Sequence, residues 1–227
     1  MPGVTDLPAL LLARLDSGFS TTRDPVRAEA MAAYMRGQFP FFGVPSPALR
    51  SLARTAMAGL PAPTAPELAQ IADACWSRPQ REFHYFACDY LRKHQRVASA
   101  GFLENARTLI TTKSWWDTVD PLATRFVGDL VRRHPSLLPE IDAWSRHDNM
   151  WLVRTAILHQ LHYADQTDTD RLFAYCTHQA KHQDFFVRKA IGWALRQYAR
   201  TDPSAVREFV AGTTLSPLSV REATKHL

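Results

Sequence analysis

Helix starts recur along this chain so regularly that little length is left for anything else. At one position after another, a small polar residue stands just before a proline or an apolar run. Asp24-Pro25 opens Val26–Phe39, and Ser46-Pro47 opens Ala48–Met57. In each pair the polar side chain can cap unpaired N–H groups, and the proline sits where its missing N–H costs nothing. Thr64 precedes a further start, Asp148 and Asp184 cap two more, and Ser216-Pro217 opens the last helix. Ser114-Trp115-Trp116-Asp117 fits a capping box, in which a serine and an acid three residues on satisfy N–H groups reciprocally. The period-2 alternation that marks strands is nearly absent. Within Pro79–Lys93, Phe83, Phe86, Ala87, Tyr90 and Leu91 fall on one helix face. The fold class is all-α.

The helices are arranged as a loose repeat. Segments starting at Pro79, Asp117, Asp148 and Asp184 each carry a long helix, at spacings of 38, 31 and 36 residues. Units of that length cannot bury an apolar face alone, so they stack, usually into a curved superhelical solenoid with a concave side. Identity between the segments is low, and an irregular bundle is the alternative. With 227 residues and 46% apolar composition, the chain can build one substantial core, and residues 1–227 read as a single domain.

Charge and cysteine content narrow the class of function. Residues 181–227 hold 8 Lys and Arg against 4 Asp and Glu, so +4 of the net +5 falls in the last fifth of the chain. With a pI near 9.3, that bias suits a polyanionic partner. The apolar run Leu7–Leu12 is too short to span a bilayer, and no basic segment precedes it as in a signal peptide. Three cysteines without paired spacing, Cys75, Cys88 and Cys176, are expected as free thiols. A cytoplasmic protein is expected.

Three helices carry the residues with chemistry. Lys189, Trp193, Arg196 and Arg200 form an i, i+4, i+7, i+11 stripe of three cations with an indole among them. Such a stripe can meet phosphates and lay an aromatic against a sugar or base; the alternative is a solvated basic face. In Lys113–Asp120, a helix would place Trp116 and Asp120 on one face with Lys113 a turn earlier. An acid beside an indole makes a cation site, or simply a core tryptophan with a locally paired acid. In the third helix Trp151 and Arg154 stand at i, i+3, so Arg154 either projects into the same cleft or pairs with the Asp of a neighbouring repeat. The pairs His159/His162 and His178/His182 lack any accompanying metal-binding motif and read as solvated faces, so no metal site is expected. No Gly-rich phosphate loop or GxSxG elbow occurs, which leaves nucleotide hydrolysis and serine-triad chemistry unsupported.

The stretches TKSWWDTVD (112–120), DNMWLVRTAILHQL (148–161) and FFVRKAIGWALRQYA (185–199), with AAYMRGQFPFFGVPSPALR (32–50), resemble the AlkD family of HEAT-like-repeat DNA glycosylases. The likeness runs from about residue 20 to the end. It implies a solenoid of HEAT-like helix pairs whose concave face holds duplex DNA. It also implies that Asp120 is the catalytic aspartate, that Trp116 and Trp193 are cleft tryptophans, that Arg154 is a cleft arginine and that Tyr34 lies near the lesion. Lys113, Lys189, Arg196 and Arg200 are then expected to contact the DNA. Pro121, directly after Asp120, departs from an unbroken helix and is expected to kink it.

The implied chemistry suits these residue types. Alkylation at N7 of guanine or N3 of adenine makes the base cationic, so it leaves as a neutral molecule, and positive charge develops on the deoxyribose. A carboxylate near C1′ stabilises that charge and indole faces add to it, with no metal or organic cofactor required. The resemblance implies excision without a base-flipping pocket, by a monomer. A non-catalytic damaged-DNA-binding protein and a protein–protein scaffold are the alternatives.

Overall fold

A computed structural model describes residues 6–227, and among them every regular element is helical, with no strand. The chain divides into two compact units, residues 1–99 and 100–227. The first holds α1 (Leu7–Thr21), α2 (Pro25–Tyr34), α3 (Ser46–Met57), α4 (Ala65–Ser77) and α5 (Arg81–Lys93). Asp24 caps α2 through the N–H of Arg27, and Thr64 and Glu67 form a full capping box at α4. Two expectations need correction here. Helix α2 ends at Tyr34 rather than Phe39, because Arg36 and Gly37 take left-handed backbone angles. Helix α3 begins at Ser46 itself, with Pro45 as an extended cap that makes no side-chain hydrogen bond.

Within this unit α4 packs on α5, and α1 packs on α3 and α4. The predicted face of α5 is inside: Phe83, Phe86, Ala87, Tyr90 and Leu91 are all buried. Burying a side chain of that size contributes about 1.5–3 kcal/mol. Glu82 is buried beside them and accepts the N–H groups of Phe42, Gly43 and Val44 at 2.9–3.1 Å. One carboxylate thereby ties the loop after α2 to α5. Gly43 is obligatory in that loop, since its φ is +90° and a Cβ would stand 2.1 Å from the Asp24 carbonyl.

The second unit holds α6 (Phe102–Thr111), α7 (Trp116–Pro121), a π-helical stretch (Leu122–Val127) and α8 (Gly128–Arg133). After these come α9 (Leu138–Trp144), α10 (Met150–Leu158), α11 (Thr169–His178), α12 (Phe185–Tyr198), α13 (Pro203–Gly212) and α14 (Pro217–Ala223). Helix α10 is the centre: residues 151–158 are all buried, and it packs against α6, α7, α9, α11, α12 and the π-helical stretch. A helix apolar on nearly every side can persist only when surrounded in this way. Helix α12 packs on α10 and α14, and Gly192 permits the second contact, for a Cβ there would stand 2.4 Å from the Glu222 side chain.

Of the caps expected in this unit, Asp184 and Ser216 are in place. The cap of α10 is Asn149 rather than Asp148, its side chain accepting the N–H of Trp151. His159 is not on a solvated face: it is fully buried, its Nδ1 donates to the Ala156 carbonyl, and burial pushes its pKa down to about 4. Cys75, Cys88 and Cys176 are buried free thiols. Among the described residues no helix is long and apolar enough to cross a membrane.

Candidate functional site

The link from α6 to α7 aims the site. Thr112 is extended, Lys113 takes a left-handed φ of 49°, and Trp115 is extended again. Ser114 therefore turns back, its Oγ donating to the Ile110 carbonyl at 2.6 Å. This overturns the expected Ser114–Asp117 box: the serine closes the end of α6, and α7 starts at Trp116 with no side-chain cap on Trp115. Lys113 is exposed in the link and does not lie on the helix.

Trp116 and Asp120 stand one turn apart on α7, both partly exposed, as the spacing predicts. Pro121 follows inside the helical run with helical angles of its own, φ −63° and ψ −35°. A proline in a helix interior donates no N–H and crowds the carbonyl four residues back. The chain answers with the wider π turns of Leu122–Val127 before α8 resumes the ordinary pitch. The Asp120 carbonyl has a side-chain partner there, accepting from the Thr124 hydroxyl at 2.8 Å.

Arg154 rises from the middle of buried α10, where an unpaired guanidinium would be costly. Its Nε donates to Asp120 Oδ1 at 2.7 Å and its Nη2 to Oδ2 at 2.8 Å, a bidentate pair, while Nη1 donates to the Phe186 carbonyl. The Arg154 side chain is 6% exposed and that of Asp120 15%. Burial raises the Asp120 carboxyl above its usual range, and the two Arg154 hydrogen bonds pull in the other direction. The expected alternative for Arg154, a pair with the Asp of a neighbouring repeat, is thus realised on the very acid expected to do chemistry. The result is a carboxylate with one open side, a fixed orientation and a counter-ion behind it.

An aromatic wall stands beside the pair, and the sequence did not single it out. The Phe186 ring lies 5.0 Å from Trp115, edge to face, and 5.2 Å from Trp151; the Arg154 guanidinium is 6.0 Å from the same ring. The available signal was the aromatic pair Phe185-Phe186 immediately behind the Asp184 cap, whose carboxylate accepts both the Phe186 and Val187 N–H groups.

The other expected site residues are distributed differently. Trp193 is half-buried on α12. Lys189 and Arg196, a turn away on either side, both reach Glu222 of α14, at 3.0 and 2.7 Å, and together they hold that carboxyl below its usual range. Arg200 is exposed beyond the end of α12, so the stripe is helical only as far as Arg196. Tyr34 belongs to the first unit, 71% exposed at the last turn of α2. Among the described residues no group of three or more His, Cys, Asp or Glu side chains is placed to hold a metal ion.

A family model described as DNA alkylation repair enzyme matches residues 15–227. Among solved structures, one described as a predicted DNA alkylation repair enzyme from Enterococcus faecalis is 33% identical. The match covers 90% of this chain and 96% of that one, with a TM-score of 0.84. A second, smu.31 from Streptococcus mutans UA159, is 16% identical over 79% of this chain and 92% of its own, with a TM-score of 0.62. It is a likeness of fold alone. No curated protein matches.

Proposed function

The chain belongs to the DNA alkylation repair enzyme family, and from that premise we propose that it is a DNA glycosylase of base excision repair. Its substrates are cationic alkylated purines, 7-methylguanine and 3-methyladenine, in duplex DNA. The observation that carries the reading is Asp120: a carboxylate on a short helix, one turn from Trp116, oriented by Arg154 and still partly open.

In the proposed reaction the bond between C1′ and the purine nitrogen breaks, and its electron pair neutralises the departing base. Positive charge passes to the sugar. Asp120 faces that charge while the indoles of Trp116 and Trp193 present their π faces to it. Water adds to C1′ and loses a proton, leaving an abasic site. Arg154 acts through Asp120 rather than on the substrate, holding both oxygens in place. The lesion's own charge activates the leaving group, so neutral lesions such as uracil are poor substrates.

Backbone contacts from Tyr34, Lys113 and Arg200, with Lys189 and Arg196 partly neutralised by Glu222, hold the duplex without a base-flipping pocket. The chain acts in this proposal as a single glycosylase domain and as a monomer. The bidentate closure of Asp120 also suits a purely structural ion pair in a damaged-DNA-binding protein. Single-turnover release of 7-methylguanine from a modified duplex decides between them: release supports the glycosylase, and tight binding without release overturns it.

A further inference from the structure

One helical turn beyond Arg154 on α10 and beside Trp193 on α12, the second unit holds a cavity of about 230 Å³ that the proposed chemistry does not use. Ile157 and Leu161 line it on the α10 side, Ala194 and Gln197 on the α12 side, and Leu172 comes from α11. The loop from α10 to α11 is fixed at its far end. Gln160 accepts the Asp168 N–H at 2.8 Å and donates to the Asp168 carbonyl at 3.3 Å, and the Thr169 hydroxyl donates to the Tyr198 phenol oxygen at 2.8 Å. Within that loop Ala164, also in the lining, holds a left-handed φ of 52°, a conformation an L residue keeps only where its surroundings impose it. A cavity so braced is formed before anything enters it.

The lining restricts what that can be. Ile157, Leu161, Leu172 and Ala194 are at most 6% exposed and make an apolar floor. Around it stand four polar side chains, His162, Gln197, Arg200 and Thr201, and none has a hydrogen-bond or ion-pair partner among the described residues. Burial, and then the charge of Arg125, hold the His162 imidazole below its usual range, so at neutral pH it offers one donor and one acceptor. The Gln197 amide and the Thr201 hydroxyl also offer both. Arg200 carries the only charge, and among the described residues no acid lines the cavity. An apolar floor takes the face of a ring, and a mixed rim pairs with N–H and carbonyl groups along its edge. An arginine with no acid in the lining favours a carbonyl oxygen and repels a cation. The volume falls below the roughly 300–1,000 Å³ of sites for larger ligands, which suits a fused ring pair without a sugar.

We infer that this cavity binds a free, uncharged oxopurine, the form that 7-methylguanine takes once its bond to the sugar has broken. It rests on the glycosylase reading for the source of that base. While still attached, the same base is cationic and carries its sugar, so the cavity refuses it on both counts. The site therefore holds product and is no pocket for a flipped substrate.

The test is calorimetric titration of the full chain with free 7-methylguanine. Two further ligands run beside it: 7-methylguanosine, the charged and sugar-bearing form, at mildly acid pH, and benzoate, an anionic ring. Saturable binding of 7-methylguanine is expected, with much weaker binding of the other two. Gln197→Leu keeps the volume and removes the amide, and Thr201→Val removes the hydroxyl; neither residue is assigned to catalysis or to the duplex. One or two lost hydrogen bonds amount to roughly ten-fold in affinity, so Gln197→Leu should weaken 7-methylguanine by that factor and Thr201→Val by less. Should Gln197→Leu lose its cooperative thermal transition, Thr201→Val decides. No saturable binding by the wild type overturns the site, and so does unchanged affinity in the folded variants. Benzoate binding as tightly as the base overturns it in favour of a general organic-acid site, and equal binding of 7-methylguanosine removes the preference for product. Release from a modified duplex separates the two readings. A chain that binds the free base through Gln197 but releases none leaves the cavity standing and sinks the glycosylase. Release without binding of the free base does the reverse.

Discussion

Replacing Asp120 by Asn tests the site at its most informative point, because the structure assigns this carboxylate two jobs with separable costs. Asn keeps the shape and one accepting oxygen for Arg154, whose side chain is only 6% exposed and whose other acceptor among the described residues is the Phe186 carbonyl. Breaking a buried ion pair from one side costs about 3–5 kcal/mol, and the retained oxygen places this substitution near the lower end. For a chain of this length each kcal/mol lowers the melting temperature by about 2–4 °C, so a fall of roughly 6–12 °C is expected with the fold intact. The catalytic cost is distinct. Losing one well-placed electrostatic contact typically slows the chemical step by about 10²–10³. Duplex binding should stay within a few-fold, since the phosphate contacts lie elsewhere. The assay is single-turnover release of 7-methylguanine by both proteins, well below the lower melting temperature. Equal rates, with the expected loss of stability, would show that Asp120 serves only to neutralise Arg154 and that the proposed mechanism is wrong.

Arg154→Ala removes both hydrogen bonds that oppose the burial-driven rise of the Asp120 pKa. A carboxyl with a raised pKa takes up its proton at higher pH, so the acid limb of the release rate should move upward in pH; a profile that only scales down in height would refute the positioning role. Trp193 is half-buried, and Trp193→Ala should slow release while leaving thermal unfolding cooperative. A collapsed transition would make the indole structural. For His159 the sign is set by a folded pKa of about 4 against about 6.5 unfolded: the unfolded chain takes up a proton first, so stability should fall as pH drops from 6.5 to 4, by about 3 kcal/mol in all. Urea unfolding of the wild type and of His159→Gln across that range measures it, and identical pH dependence in the two proteins would clear His159.

Local signals carried most of what the sequence revealed. The cap at Asp184, the start at Thr64 and the apolar face of α5 each depend on residues within one or two turns, and all are present in the fold. Trp116 and Asp120 were paired for the same reason. The signals that misled were local patterns with a stronger competitor nearby. Ser114 stood between the open carbonyls that end α6 and the open N–H groups that begin α7 and served the first, beside a left-handed Lys113. Arg154 could be read two ways because its acid lies 34 residues off, a distance that only packing resolves.

The π turns after Pro121 leave this run of helix with one more residue than an ordinary helix would need to cover the same rise. That surplus is a length tolerance. A single deletion within residues 122–127 could be absorbed by restoring the ordinary pitch, so that Leu130 and Val131 keep their buried places. In an ordinary helix, with no surplus to draw on, the same deletion would turn everything before it by about 100° about the axis. Asp120 lies just upstream, and Arg154 is rooted in a different helix that does not turn with it. Here the surplus residue takes up the loss, so shortening the chain within the π turns should leave Asp120 facing Arg154, and the bearing of the site is in this sense counted out in residues.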